Sequence, residues 1–190
     1  MGSKIKTAKR LESLPTPYYT NAVAEITSQT DRGAAIAGSA YLDILLRSAI
    51  EKRMRADPTL HDELFQSGPL RDFSVRIKLA YALNITGSWA YADLMAIRDI
   101  RNAFAHSAGA INFDTADVAA LCRKLWYPLK IRYGKRETPT TPRDIFTRAV
   151  ELLADALHED IRPNRASCSV SPQFLRLGPL RPPSPQKPRE

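Results

Sequence analysis

The sequence predicts an all-α protein, a compact bundle of about six helices with disordered tails at both ends. Apolar residues recur at three- and four-residue spacing, and no segment shows the alternation of a strand. Hydrophobic residues make up 44% of the 190 residues, which is enough for a core of ordinary size. The pattern therefore predicts a flexible basic segment at 1–14, one helical domain at 15–161 and a disordered Pro/Arg-rich tail at 162–190.

Proline, glycine and polar clusters separate the predicted helices. Pro58, Pro128 and the polar stretch 132–142 are the clearest breaks. Pro142 suits the first turn of the last helix, where a backbone N–H has no helical acceptor. The pattern predicts a single helical turn at 62–65 and helices at about 18–28, 31–55, 71–84, 88–106, 115–126 and 143–159.

The second predicted helix, 31–55, is the most apolar segment of the chain. It is apolar on most faces, so we expect it at the centre of the bundle, with Thr30 or Asp31 as its N-cap. Small side chains near its start would let a neighbouring helix approach closely: Gly33, Ala37 and Gly38. Charged side chains farther along should form a ladder of attractive pairs: Asp43, Arg47 and Glu51.

The net charge of +8 resides at the two ends of the chain. Residues 1–12 carry four basic side chains against one acidic, and residues 162–190 carry six against one. The body between them is neutral, so the folded part is not a polycation. We expect any attraction to nucleic acid to be weak or indirect and to come from the ends, unless a local basic patch exists.

Several classes of protein are disfavoured by the sequence. No apolar run approaches the length of a membrane span, and the basic start lacks the apolar region of a secretory signal. We therefore expect a cytoplasmic protein with no membrane contact and with Cys122 and Cys168 as free thiols. No cysteine or histidine pair has metal-ligand spacing, and no nucleotide-binding or nucleophile motif is present. We expect neither a metal nor a cofactor.

Several side chains outside these patterns have expected places. His61 and His158 stand alone in polar surroundings and are predicted to be surface residues. In the third helix, Arg76 is expected on the outer face. The aromatic residues of the later helices are expected in the core or at an interface: Trp89, Trp126 and Tyr127.

One constellation on the fourth helix could carry chemistry. At 100° per residue, Arg98, Asn102 and His106 share a stripe, and Arg101 flanks it. A histidine can move protons near neutral pH, and an arginine can hold a phosphate. Two such segments in a two-fold dimer would suit metal-independent RNA cleavage.

A structural interpretation of the same side chains stands beside the catalytic one. The helix dipole favours a histidine at a helix C-terminus. Asn102 could bond loop backbone, and the arginines could pair with Asp99, Asp31 or Asp43. The sequence leaves both interpretations open.

A longer pattern resembles the mannitol operon repressor family. It covers about residues 20–125 and includes Ser67–Leu83, Tyr91–Leu94, Ile97–Asn102, and the earlier Asp31–Ala34 and Leu42-Asp43. The resemblance implies an all-helical transcriptional repressor that lacks a helix-turn-helix and acts through a protein partner. We expect such a regulator to be a homodimer. Within this pattern we expect binding or supporting roles for Arg98, Asp31, Arg32, Asp43 and Arg76.

The segment Arg101–His106 also resembles the Arg-polar-x3-His signature of the HEPN superfamily. This second resemblance implies that Arg101, Asn102 and His106 would be the catalytic residues of a dimeric, metal-independent ribonuclease. An inactive relative in stress or phage defence is the related alternative. The regulator is the first hypothesis and the ribonuclease the second, and they differ in what His106 does.

Overall fold

The computed structural model describes residues 16–130 and 138–161, and every regular element in these ranges is helical. The all-α prediction is confirmed. The predicted segments 1–14 and 162–190 lie outside the described residues. In chain order the α-helices are α1 Thr16–Ser28, α2 Asp31–Glu51, α3 Pro58–Asp62, α4 Phe73–Ala82, α5 Ser88–His106, α6 Ala116–Cys122, α7 Tyr127–Lys130 and α8 Pro142–Ile161.

Helix α2 lies at the centre of the bundle, as its composition predicts, and packs against α8, α5, α4 and α1. Its start is capped by Thr30, whose hydroxyl accepts a hydrogen bond from the N–H of Gly33 at 3.2 Å. Its fully buried apolar side chains form one broad face of the helix: Ala34, Ala35, Leu42, Leu46, Ala49 and Ile50. The hydrophobic core therefore packs against this broad face, while the opposite side of α2, with Ile36 and Ile44, is exposed.

Gly38 sets the close contact between α2 and α8. A Cβ atom at this position would lie 3.2 Å from Cγ2 of Val150 and 3.3 Å from Cε1 of Phe146. Both neighbours are buried, so neither can move away without disturbing the core. The expectation that small residues allow a close helix approach is confirmed at Gly38.

A row of aromatic rings joins α5 to α8 through the loop that follows α5. The ring centroids of Phe104 and Phe113 are 4.9 Å apart, and those of Phe113 and Phe146 are 5.1 Å apart. All three side chains are buried. The row therefore fixes the loop between α5 and α6 onto the core.

The second predicted helix is shorter than expected and ends at Glu51. The following turn is held by Lys52, whose ammonium donates to the carbonyl of Asp160 at 2.7 Å. The next side chain, Arg53, forms an ion pair with the buried Asp160 at 2.7 Å. The contact with the end of α8 thus stops a helix that local propensity would extend to about residue 55.

Prolines expected to break helices instead start short ones. Pro58 opens α3, where Asp57 caps the N–H of Leu60 at 3.1 Å. A π-helix, Glu63–Ser67, and a 3₁₀ turn, Pro69–Arg71, follow in place of the predicted single turn at 62–65. Pro128 lies inside α7 rather than ending a helix. Backbone N–H groups in the first turn of a helix have no helical acceptor, so a proline, which has no N–H, is tolerated there. The prediction that Pro128 ends a helix is therefore wrong.

By length and composition alone, α2 could cross a membrane, since its mean hydropathy is 1.2. Half of that apolar window is buried inside the fold. The apolar composition is therefore accounted for by the position of α2 among α8, α5, α4 and α1.

We expect Gly38→Leu to lower the free energy of unfolding by about 1–3 kcal/mol, because the new side chain would overpack the contact with Val150 and Phe146. Urea-induced unfolding followed by circular dichroism would measure the change. Ala40→Leu, on the exposed face of the same helix, is the matched control and should change stability by less than about 0.5 kcal/mol. Equal effects of the two substitutions would contradict the packing argument.

Candidate functional site

A polar cleft of about 290 Å³ opens where α2, α4, α5 and the 3₁₀ turn Pro69–Arg71 meet. Its lining brings together three of the side chains singled out in the sequence: Asp43 from α2, Arg76 from α4 and Arg101 from α5. Arg71 and Asp72 line the rim, and Ile36 and Phe73 supply apolar wall. Packing of the helices thus assembles a site from residues that are far apart in the chain.

The floor of the cleft is an ion pair between Arg76 and Asp43. The Nε of Arg76 donates to Oδ1 of Asp43 at 2.7 Å, and its Nη2 donates to Oδ2. Its Nη1 donates to the carbonyl of Leu70 at 2.7 Å. Arg76 is buried, with a side chain only 9% exposed, so the expected outward position is wrong. The two-pronged pairing with Asp43 explains why this face of α4 turns inward.

The pKa of the Asp43 carboxyl group is subject to opposing effects. Burial raises the pKa of its carboxyl group, whereas the hydrogen bonds and charge of Arg76 and the charges of Arg101 and Arg47 act to lower it. The predicted ladder is only partly formed. Arg47 donates to Glu51 at 2.8 Å, but both oxygens of Asp43 accept from Arg76.

The end of α5 places Arg101, Asn102 and His106 together, but only Arg101 lines the cleft. Its Nη1 donates to Oδ1 of Asn102 at 3.0 Å. Arg101 and His106 are exposed, and Asn102 is half-buried. The apolar spacing of this helix predicts that Tyr91, Leu94, Ile97 and Phe104 face inward; Leu94, Ile97 and Phe104 are fully buried, and Tyr91 is half-buried.

Arg98 is held by its neighbour on α5. Its Nε donates to Oδ1 of Asp99 at 3.0 Å, which is one of the pairings that the structural interpretation expected. The side chain is 29% exposed and does not line the cleft. Its partner therefore gives Arg98 a supporting contact within the helix.

Asp31 and Arg32 lie elsewhere, at the start of α2. Oδ2 of Asp31 accepts from the N–H of Phe113 at 3.0 Å, and its other oxygen pairs with Arg143 of α8. Arg32 donates to the carbonyls of Ser107 and Gly109 at 3.0 and 3.1 Å. These contacts fasten the loop after α5 to the start of α2, so their supporting role is structural and separate from the cleft.

Asp93 is the most constrained carboxylate that the sequence interpretation missed. It is 1% exposed, and its two oxygens accept from the N–H groups of Trp126 and Tyr127 at 2.7 and 2.9 Å. Burial raises its pKa to about 7, against the opposing effect of these two bonds. The signal in the sequence was an acidic residue on the buried stripe shared by Ala90 and Ile97.

The isolated histidines are buried, contrary to expectation. His61 is 7% exposed and His158 is 8% exposed. Nε2 of His61 lies 2.8 Å from the carbonyl oxygen of Arg55, and its ring meets Phe65 edge-on. Both rings are thus removed from solvent by packing, which the polar residues next to them in the sequence did not indicate.

The aromatic and thiol side chains have structural surroundings. Trp89 stacks on Trp126 with centroids 4.5 Å apart, and Tyr127 is fully buried, so their core placement is confirmed. Cys122 is buried, and burial raises its thiol pKa to about 12, whereas Cys168 lies outside the described residues. Within 16–130 and 138–161, no cluster of three or more histidine, cysteine or acidic side chains could hold a metal ion.

The fold and the cleft define an all-helical domain whose polar site is assembled around one central helix. Residues 42–131 match the family model MtlR, described as mannitol repressor. The matched region runs from the middle of α2 to just beyond α7 and contains Asp43, Arg76 and Arg101. The resemblance to this family in the sequence is confirmed over these residues.

The fold is similar to that of a chain in the X-ray structure of the MtlR-HPr complex from Escherichia coli. The two chains are 15% identical, the TM-score is 0.60, and the match covers 75% of this chain and 99% of the other. At this level of identity the similarity establishes the fold. No curated protein sequence matches the chain.

We expect Asp93→Asn to change how stability depends on pH. The folded-state pKa of Asp93 is raised to about 7, above the ordinary value of 3.8, so the folded state binds the proton more tightly. Between these two values, rising pH therefore lowers wild-type stability relative to the variant. Urea unfolding of both proteins across this range should show their difference in unfolding free energy falling and then levelling above about pH 7. A constant difference would contradict this assignment.

Proposed function

We propose that this protein is an MtlR-like transcriptional regulator, a repressor that acts by binding a protein partner rather than through a helix-turn-helix. The observation that carries the proposal is the match of residues 42–131 to the mannitol repressor family model. The similar fold of a chain in the structure of the MtlR-HPr complex supports the choice of a protein as partner. The neutral charge of the body also favours a protein partner over direct binding to nucleic acid.

The proposed partner is HPr or a protein with an HPr-like surface, acting in the cytoplasm. We also propose that the regulator is a homodimer. Two large apolar side chains on the outer face of α2 support this, since Ile36 is 40% exposed and Ile44 is 46% exposed. They are two helical turns apart, so they form one apolar strip that a second copy could cover.

Purified Escherichia coli HPr should bind the full chain in an isothermal titration, with a one-to-one ratio per regulator chain. Binding should persist at physiological salt if the helical domain, whose net charge is zero, carries it. Light scattering of the free protein in the same buffer would give the number of copies.

Two results would contradict the proposed function. Absence of binding to HPr at any salt concentration would remove the partner inferred from the similar complex. Binding that appears only at low salt would assign the attraction to the basic ends of the chain, which hold the whole net charge.

A second candidate function is a HEPN-type, metal-independent ribonuclease or its inactive relative. The observation that favours it is the joint placement of Arg101, Asn102 and His106 at the end of α5. Arg101 is hydrogen-bonded to Asn102, and the imidazole of His106 is open to solvent. A phosphate could reach the guanidinium, and a substrate hydroxyl could reach the imidazole.

We expect the purified protein to leave a labelled single-stranded RNA intact in the presence of EDTA. We also expect His106→Ala to fold normally and to keep its affinity for HPr, because the imidazole is exposed. Gel analysis of the RNA and the calorimetric titration would check both points. Metal-independent cleavage that His106→Ala abolishes, while Arg123→Gln retains it, would replace the regulator with the ribonuclease.

A further inference from the structure

The cleft between α2, α4 and α5 offers more hydrogen-bond donors than acceptors. A guanidinium carries five N–H groups. Arg76 uses three of them, on the two oxygens of Asp43 and the carbonyl of Leu70. Arg101 uses one, on Oδ1 of Asn102. In the described part of the chain the remaining N–H groups have no protein acceptor, so the cleft can supply several donors to a ligand.

The charges of the side chains that line the cleft also favour an anionic ligand. Three arginines face two aspartates across the cleft. The carboxylate of Asp43 is fully engaged with Arg76, and Asp72 lies 3.9 Å from Arg71 at the exposed rim. Arg101 forms no ion pair with a carboxylate within the described ranges. The unmatched positive charge therefore belongs to Arg101.

The burial of the floor makes the donors rigid. The side chain of Arg76 is only 9% exposed and is fixed by three hydrogen bonds, so it would not need to be ordered when a ligand binds. Ile36 and Phe73 form the apolar part of the wall. A volume of about 290 Å³ holds a small charged group rather than a large cofactor.

We propose that this cleft is an anion site, in which the guanidinium groups of Arg101 and Arg76 bind a carboxylate or phosphate group. The anion is either the acidic side chain of a protein partner or the phosphate of a small molecule, since both present the oxygen acceptors that the arginines lack. The site shares Arg101 with the HEPN-like segment, but Asn102 and His106 do not line it. It also does not depend on HPr being the partner.

The test is a titration of the full chain with two separate probes. One is inorganic phosphate, and the other is N-acetylglutamate α-amide, whose only charge is the side-chain carboxylate. The guanidinium Nε–H signals of the arginines are followed by NMR at constant ionic strength, with sodium chloride as the reference. The signals of Arg101 and Arg76 should shift and saturate with at least one probe. The probe that binds identifies phosphate or carboxylate as the natural group.

Arg101→Gln should weaken binding of that probe by about tenfold or more, since it removes the charged donor that has no carboxylate partner. Arg101 is exposed, so the variant should fold. Arg123→Gln, an exposed arginine outside the cleft, is the matched control and should bind like the wild type. Failure of both probes to shift these signals, or equal weakening by the two substitutions, would overturn the proposal.

Discussion

The packing of α2 inside the bundle is the constraint on which the rest of the structure depends. Its buried apolar residues form one broad face, which is too wide for a single neighbour to cover, and α8, α5, α4 and α1 all pack against α2. Gly38 lets α8 approach closely, and Val150 and Phe146 fill the space that a side chain would occupy. The positions of the other helices follow from the need to remove this surface from water.

Charged side chains then fix the connections that apolar packing leaves undetermined. Asp31 and Arg32 hold the loop after α5, Asp93 holds the start of α7, and Asp160 holds the turn after α2 through Arg53. Asp93 and Asp160 are buried, so these contacts give their carboxylates partners that burial would otherwise deny them. The same kind of contact, between Asp43 and Arg76, fixes α4 against α2 and so forms the floor of the cleft.

The cleft and the family match concern the same part of the chain. The matched residues 42–131 include Asp43, Arg76 and Arg101 and exclude Asp31, Arg32 and the whole of α8. The central helices thus resemble a mannitol repressor, while helices outside the match complete the core. Within the cleft, Arg101 is the arginine that forms no ion pair with a carboxylate of the described residues.

The sequence by itself determined the helical class, the central place of α2, the bounds of α5 and the inward stripe of Leu94, Ile97 and Phe104. These follow from periodicity, composition and capping, which are local properties. It could not place Arg76, whose neighbours in the sequence suggest an outer face. Only the tertiary structure decided that Arg76 pairs with Asp43.

The same limit applies to the rest of the candidate site. Arg101 and His106 are both polar residues near the end of α5, and the sequence alone does not distinguish their positions. Only Arg101 lines the cleft. The polar surroundings of His61 in the sequence gave no sign that Phe65 and the carbonyl of Arg55 would enclose it. Local patterns determine which helices form, whereas the identity of a charged group's partner depends on contacts between distant segments, which exist only after the helices have packed.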